Sequence, residues 1–172
     1  EKLGTGGGLD NTIIVVTGDH GEGFGEHGRF QHDSTPYEEG IRVPLLLADR
    51  RGGVISGDDR RLRQHIDILP TLLSLAGLRV TGLLPGRDLL DSQGHDQIIT
   101  SCWHVDGCMS LVEADGGKWV LTEGRMAYYR LDADPGERED LAPAQAPEAV
   151  AALRSRLLAH RLSLRRLWGP AR

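Results

Sequence analysis

The chain has 172 residues, 39% of them hydrophobic, which is enough to bury the core of one domain or of one domain with a small appendage. Its formal charge of -5 comes from interspersed acids and bases, so no basic face is available to follow a phosphate backbone, and nucleic acid is excluded as a partner. No apolar run reaches the ~18 residues that span a bilayer, and two cysteines are too few for a disulfide scaffold or for a zinc site made of thiolates.

The opening Gly4-Thr5-Gly6-Gly7-Gly8 reads as a flexible lead-in. The first ordered element is the β-branched run Ile13-Ile14-Val15-Val16, which predicts a strand buried on both faces, as in a parallel sheet, with ligands collecting at its far end. From Asp19 to Glu39 the sequence is rich in Gly, His and acids without apolar periodicity, which predicts a long ordered loop of the kind that carries function. Val43-Pro44-Leu45-Leu46-Leu47-Ala48 predicts a second buried strand, and Asp49 to Arg63 a charged surface connection. Asp67 to Gly77 predicts a helix, with Asp67 as N-cap, Pro70 in the first turn and Gly77 at the end, which assigns Asp67 to capping rather than catalysis.

After the turn Pro85-Gly86-Arg87, four short strands follow: Ile98 to Trp103, Cys108 to Glu113, Lys118 to Thr122 and Met126 to Leu131. Their close spacing predicts an antiparallel meander. Cys102 and Cys108 stand near enough to bridge a hairpin turn as a disulfide, with two separate thiols as the other reading. From Pro147 onward, Val150, Leu153, Leu157 and Leu164 share one helical face, and Arg165 and Arg166 stand at the negative end of the helix. A helix laid over a small sheet makes a compact C-terminal subdomain, dividing the chain into residues 1–95 and 96–172.

The chemistry concentrates just past the first strand. Adjacent Asp19 and His20 can present one hard oxygen and one imidazole nitrogen to the same divalent ion, with flanking glycines letting the backbone turn tightly. Two ligands do not complete a site, so further carboxylates must come from elsewhere. His32 lies farther along the loop, where an imidazole can donate a hydrogen bond to a tetrahedral anion or simply face solvent. Gly23-Phe24-Gly25-Glu26-His27-Gly28 formally matches a dinucleotide-binding fingerprint, but Arg29 to Gly40 holds the helix-breaking Pro36 and no apolar stripe for a packed helix, which rejects that reading.

The run Asp10-Asn11-Thr12 through Asp19-His20-Gly21-Glu22, then Gly25-Glu26-His27-Gly28, His32, Tyr37-Glu38 and Arg42-Val43-Pro44, resembles the late metal-binding block of sulfatases, in the alkaline-phosphatase superfamily. Asp67-Ile68-Leu69-Pro70-Thr71-Leu72-Leu73-Ser74-Leu75-Ala76-Gly77-Leu78 resembles the helix after that block. Tyr129 to Leu141, with Asp134-Pro135-Gly136-Glu137 inside it, resembles the family's C-terminal signature. The resemblance implies an α/β fold, part of an alkaline-phosphatase-like α/β/α sandwich followed by a small antiparallel sheet with a C-terminal helix. It implies metal-dependent hydrolysis of a small-molecule or saccharide sulfate ester, with Asp19 and His20 as metal ligands and His32 matching the Lys or His that contacts sulfate or phosphate oxygens. The implied divalent metal is Ca2+ first, with Mn2+ or Zn2+ as the alternatives that a nitrogen ligand suits better. Glu38 and Arg42 read as a structural pair, and Glu26 and His27 as groups behind the ligands or as part of a solvated loop. His65, His95, His104 and His160 match no catalytic position.

The chain departs from the family in one respect. The Cys-x-Pro-x-Arg motif that supplies the nucleophile, and the early pair of Asp ligands, are not in it; Cys102 precedes Trp103-His104 and Cys108 precedes Met109-Ser110. The expectation is therefore a segment truncated at its N-terminus and inactive alone, since no group is present to form the covalent intermediate. The family resemblance further implies a periplasmic, extracellular or membrane-tethered protein, with any membrane anchor lying upstream. Two alternatives stand: phosphoryl or phosphonate ester hydrolysis or transfer within the same superfamily, and a non-catalytic metal-binding remnant.

Overall fold

The two β-branched runs pair with each other. β1 (Ile13–Thr17) and β2 (Leu45–Asp49) form an antiparallel ladder from Ile13 opposite Asp49 to Thr17 opposite Leu45. The computed structural model describes residues 9–30, 32, 35–51, 59–79, 81–102 and 107–168, with the side chains of 164–168 not included. The expected lead-in Gly4 to Gly8, Trp103, His104 and the side chains of Leu164, Arg165 and Arg166 lie outside the described residues. The antiparallel pairing corrects the expectation of a strand buried on both faces in a parallel sheet. Among the described residues each strand has the other as its one ladder partner, and Val16 and Leu46 are 52% and 65% exposed. A continuous apolar run signals two faces fit for burial, but it specifies neither the direction nor the number of partner strands.

The chain divides into two compact units, Glu1–Asp19 with Val43–His95, and His20–Arg42 with Asp96–Arg172. In the first, α2 (Ile68–Leu75) ends as its sequence predicts. Gly77 takes a left-handed conformation, and the Leu78 and Gly77 N–H groups bond the Leu73 and Ser74 carbonyls, closing the last turn. Its start differs from the expectation. Asp67 makes no side-chain cap on α2; its fully buried carboxylate accepts the N–H of Gln64 at 2.9 Å, the N–H of Arg87 at 2.8 Å and His95 Nε2 at 2.9 Å. The acid therefore closes the turn before the helix and pins the segment from Arg87 to His95. Thr71, equally buried, extends the same tie by donating to the Asp67 carbonyl and accepting from Leu89 N–H.

The second unit is built on the predicted meander: β3 (Gln97–Ser101), β4 (Met109–Glu113), β5 (Gly117–Thr122) and β6 (Arg125–Arg130), each antiparallel to the next. A disulfide joins Cys102 to Cys108 across the β3–β4 connection, with Cα atoms 5.4 Å apart. Alternation along the strands gives the sheet two apolar faces. On one, Met109, Leu111 and Leu121 pack with Leu157 of α3 (Pro147–Trp168), joined by Trp119, Met126 and Leu153. On the other, Val120 and Tyr129 pack with Tyr37, which belongs to the loop that follows His20. No helix among the described residues is long and apolar enough to cross a membrane.

Candidate functional site

Of the loop predicted from Asp19 to Glu39 to carry chemistry, all but Asp19 falls in the unit built on the meander. A bridge between Phe24 and Phe30 encloses a 3-10 turn at Glu26–Gly28, and the run ends in the short helix α1 (Glu38–Ile41). The glycine-rich Gly23–Gly28 stretch thus opens no packed helix, as its composition indicated.

His20 and His32 come together. Their rings stack with centroids 4.0 Å apart and planes at 17°. His20 Nδ1 lies 2.8 Å from the Gly21 carbonyl, and since a carbonyl only accepts, the tautomer here carries a proton on Nδ1. That tautomer suits a metal ligand, which characteristically donates its second ring N–H to a carbonyl or carboxylate. His32 Nδ1 lies 3.1 Å from Glu22 Oε2, so in the same way Nδ1 is the donor and the ring is oriented by a carboxylate. Asp19 is exposed, two residues beyond the end of β1, and belongs to the other compact unit. Among the described residues no group of three or more His, Cys, Asp or Glu is placed to hold a metal.

Near the same strand end, within the first unit, His65 Nε2 stands 2.8 Å from the Gly18 carbonyl and 3.5 Å from Thr17 Oγ1. Sequence reasoning gave His65 no role; here it fastens the backbone immediately before Asp19. His95, also unassigned, serves Asp67.

His27 is a structural group. Its ring lies flat on Tyr37 with centroids 3.7 Å apart, Nδ1 is 2.9 Å from Glu39 Oε1, and Nε2 is 3.0 Å from the Glu137 carbonyl. Glu26 accepts the Phe24 N–H, and two backbone hydrogen bonds, from its own and the Phe24 N–H, hold its carboxyl below the usual range. Glu38 does not pair with Arg42 through its side chain: its Oε1 accepts from Lys118 Nζ at 2.9 Å, and its N–H donates to Glu137 Oε2 at 2.6 Å. Lys118 Nζ also lies 2.8 Å from Glu137 Oε1, and both of these side chains are fully buried. Burial pushes the Glu137 carboxyl up, opposed by the Lys118 ammonium and the Glu38 N–H.

Lys118 and Glu137 are the residues sequence reasoning missed. The available signal was a lysine in phase with Val120 on an otherwise apolar strand, which period-two alternation sends inward, where a charge needs partners.

A family model described as Sulfatase matches residues 1–78. An arylsulfatase of Clostridium perfringens is 29% identical over 153 residues, covering 78% of this chain and 30% of that protein. A delta 4,5-hexuronate-2-O-sulfatase of Bacteroides thetaiotaomicron is 30% identical over 160 residues, covering 77% of this chain and 31% of that protein. Among solved structures, a phosphonate monoester hydrolase of Agrobacterium radiobacter matches with a TM-score of 0.67 at 25% identity, covering 96% of this chain and 37% of that one. The chain spans about a third of the length of these relatives.

Proposed function

The chain belongs to the sulfatase family and has an alkaline-phosphatase-like α/β fold, and from that premise we propose that it serves the metal-dependent hydrolysis of sulfate esters. The observation that carries this reading is the stack of His20 on His32. One imidazole offers Nε2 to a cation, and its neighbour, oriented by Glu22, turns its ring toward an oxyanion beside it. Asp19, next to His20 in sequence, adds a hard oxygen. When bound, the divalent ion supplies positive charge against the tetrahedral anion. Ca2+ is the ion assigned first, with Mn2+ and Zn2+ as alternatives.

The nucleophile and the remaining carboxylate ligands come, in this reading, from sequence outside these 172 residues. Neither cysteine stands in a Cys-x-Pro-x-Arg motif, and the two are joined to each other. The chain alone is accordingly inactive. The hexuronate sulfatase relative favours a sulfated saccharide as substrate. The disulfide favours an oxidising compartment, periplasmic or extracellular. A second reading, hydrolysis of phosphonate monoesters, is favoured by the Agrobacterium structure and needs the same cation and anion contacts.

The test is an assay of the longer protein carrying this segment on 4-nitrophenyl sulfate and on a phenylphosphonate monoester, with and without chelator. Chelator-sensitive turnover that prefers the sulfate is expected, together with a fall of about a hundredfold or more in kcat/KM for Asp19→Ala. A preference for the phosphonate selects the second reading. Activity indifferent to both chelator and Asp19→Ala overturns the metal assignment.

A further inference from the structure

We infer that Lys118 is a positioning residue for the His20–His32 pair, acting from the meander through α1. The inference rests on the proposed role of those two histidines and deepens it.

A continuous path of short contacts runs inside one compact unit. Lys118 Nζ holds Glu38 Oε1 at 2.9 Å, and Glu38 is the first residue of α1. Two residues on in that helix, the Gly40 carbonyl accepts the Gly21 N–H at 2.9 Å. The Gly21 carbonyl in turn accepts His20 Nδ1–H at 2.8 Å, and His20 stacks on His32. The approach of Gly21 to α1 is so close that a Cβ there would overlap the Glu39 carbonyl. Glu137 closes the path from the other side, taking Lys118 on one oxygen and the Glu38 N–H on the other, and its carbonyl accepts from His27. No other cation is placed against Glu38 and Glu137 among the described residues. Removing the ammonium takes away the group that ties the side chain of Glu38 in α1 to Glu137 and to the meander, so α1 loses that anchor and shifts. That motion carries Gly21, and with it the ring of His20, away from its present pose. The sheet face against α3 shares none of these groups: it is built from Met109, Leu111, Leu121 and Leu157.

The experiment uses the full chain labelled at histidine with 13C and 15N. Four forms are compared: wild type, Lys118→Met, Lys118→Arg, and Leu157→Ala as a destabilising change on the opposite sheet face. The readouts are the ring signals of His20 and His32, amide exchange at Gly21, and Mn2+ affinity by calorimetry. Lys118→Met is expected to shift both ring signals, speed Gly21 exchange at least about tenfold, and weaken Mn2+ binding by about 10–100-fold, as loss of a group behind a ligand does. Lys118→Arg is expected to restore most of this, and Leu157→Ala to lower the melting temperature with the ring signals in place. Should Lys118→Met fail to fold, Glu38→Ala cuts the same path while leaving the Lys118–Glu137 pair, and the same shifts are expected. Ring signals and Gly21 exchange unchanged in a folded Lys118→Met or Glu38→Ala protein overturn the inference, as do equal shifts in Leu157→Ala. A wild-type chain with no measurable Mn2+ affinity instead overturns the metal reading, and the ring and exchange data still decide the role of Lys118.

Discussion

Gly21 has no room for a side chain, because a Cβ at that position runs into the Glu39 carbonyl. Gly21→Ala is therefore expected to destabilise the chain by about 1–3 kcal/mol, the usual cost of forced overpacking, and to weaken metal binding alongside. Urea unfolding with parallel calorimetry checks both, and a variant of wild-type stability contradicts the close approach. Asp59 gives a pH test away from the site. Burial pushes its carboxyl up, but hydrogen bonds from Arg61 and Arg63 prevail and hold it at about 2, against an ordinary 3.8. A folded pKa below the unfolded one means the contribution is fully present above about pH 3.8 and is lost as pH falls through 2. Because the pair is partly solvated, the effect is at most about 1 kcal/mol. Asp59→Asn should flatten the wild-type loss of stability between pH 4 and pH 2, measured by thermal unfolding at a series of pH values. At this scale His20 and His32 were legible as candidates from residue type and spacing. The stack between them was not, because it depends on how a loop without periodicity folds back on itself. Lys118 is not legible as a buried group, because a single charge in a strand fits a residue facing water equally well.

The meander and α3 were legible as elements, because alternation with a period of two and an apolar face with a period of 3.6 each survive in the sequence without knowledge of partners. What the pattern did not give was the use of both sheet faces. Val120 and Tyr129 take Tyr37 from the loop, whereas Leu121 and Met109 take Leu157 from α3. Leu157 is fully buried, so Leu157→Ala should cost about 2–5 kcal/mol in denaturant unfolding. A loss under 1 kcal/mol would mean that α3 does not pack as described. The disulfide closes a short connection, so its reduction should cost about 2 kcal/mol and leave the ladder between β4 and β5 intact by hydrogen exchange. The direction of β1 against β2 is not legible for a physical reason: both parallel and antiparallel neighbours accept the same β-branched run. Asp67 likewise has the position of a local cap, but its three acceptances come from residues as far away as His95.

At the scale of the whole molecule, the grouping of His20–Arg42 with Asp96–Arg172 was the least legible feature, since the contacts that make it span most of the chain. The ion triad of Lys118, Glu38 and Glu137 is one of them; Lys118 and Glu137 are fully buried, and breaking such a pair by removing one partner costs about 3–5 kcal/mol. In the proposed function a cation and an oxyanion meet at the stacked imidazoles of His20 and His32. Paramagnetic broadening by Mn2+ tests it most directly. Substoichiometric Mn2+ added to the histidine-labelled chain is predicted to erase the ring signals of His20 and His32 together, ahead of those of His95 and His160. Uniform broadening of all histidines, or loss of other signals while His20 and His32 stay sharp, contradicts the account.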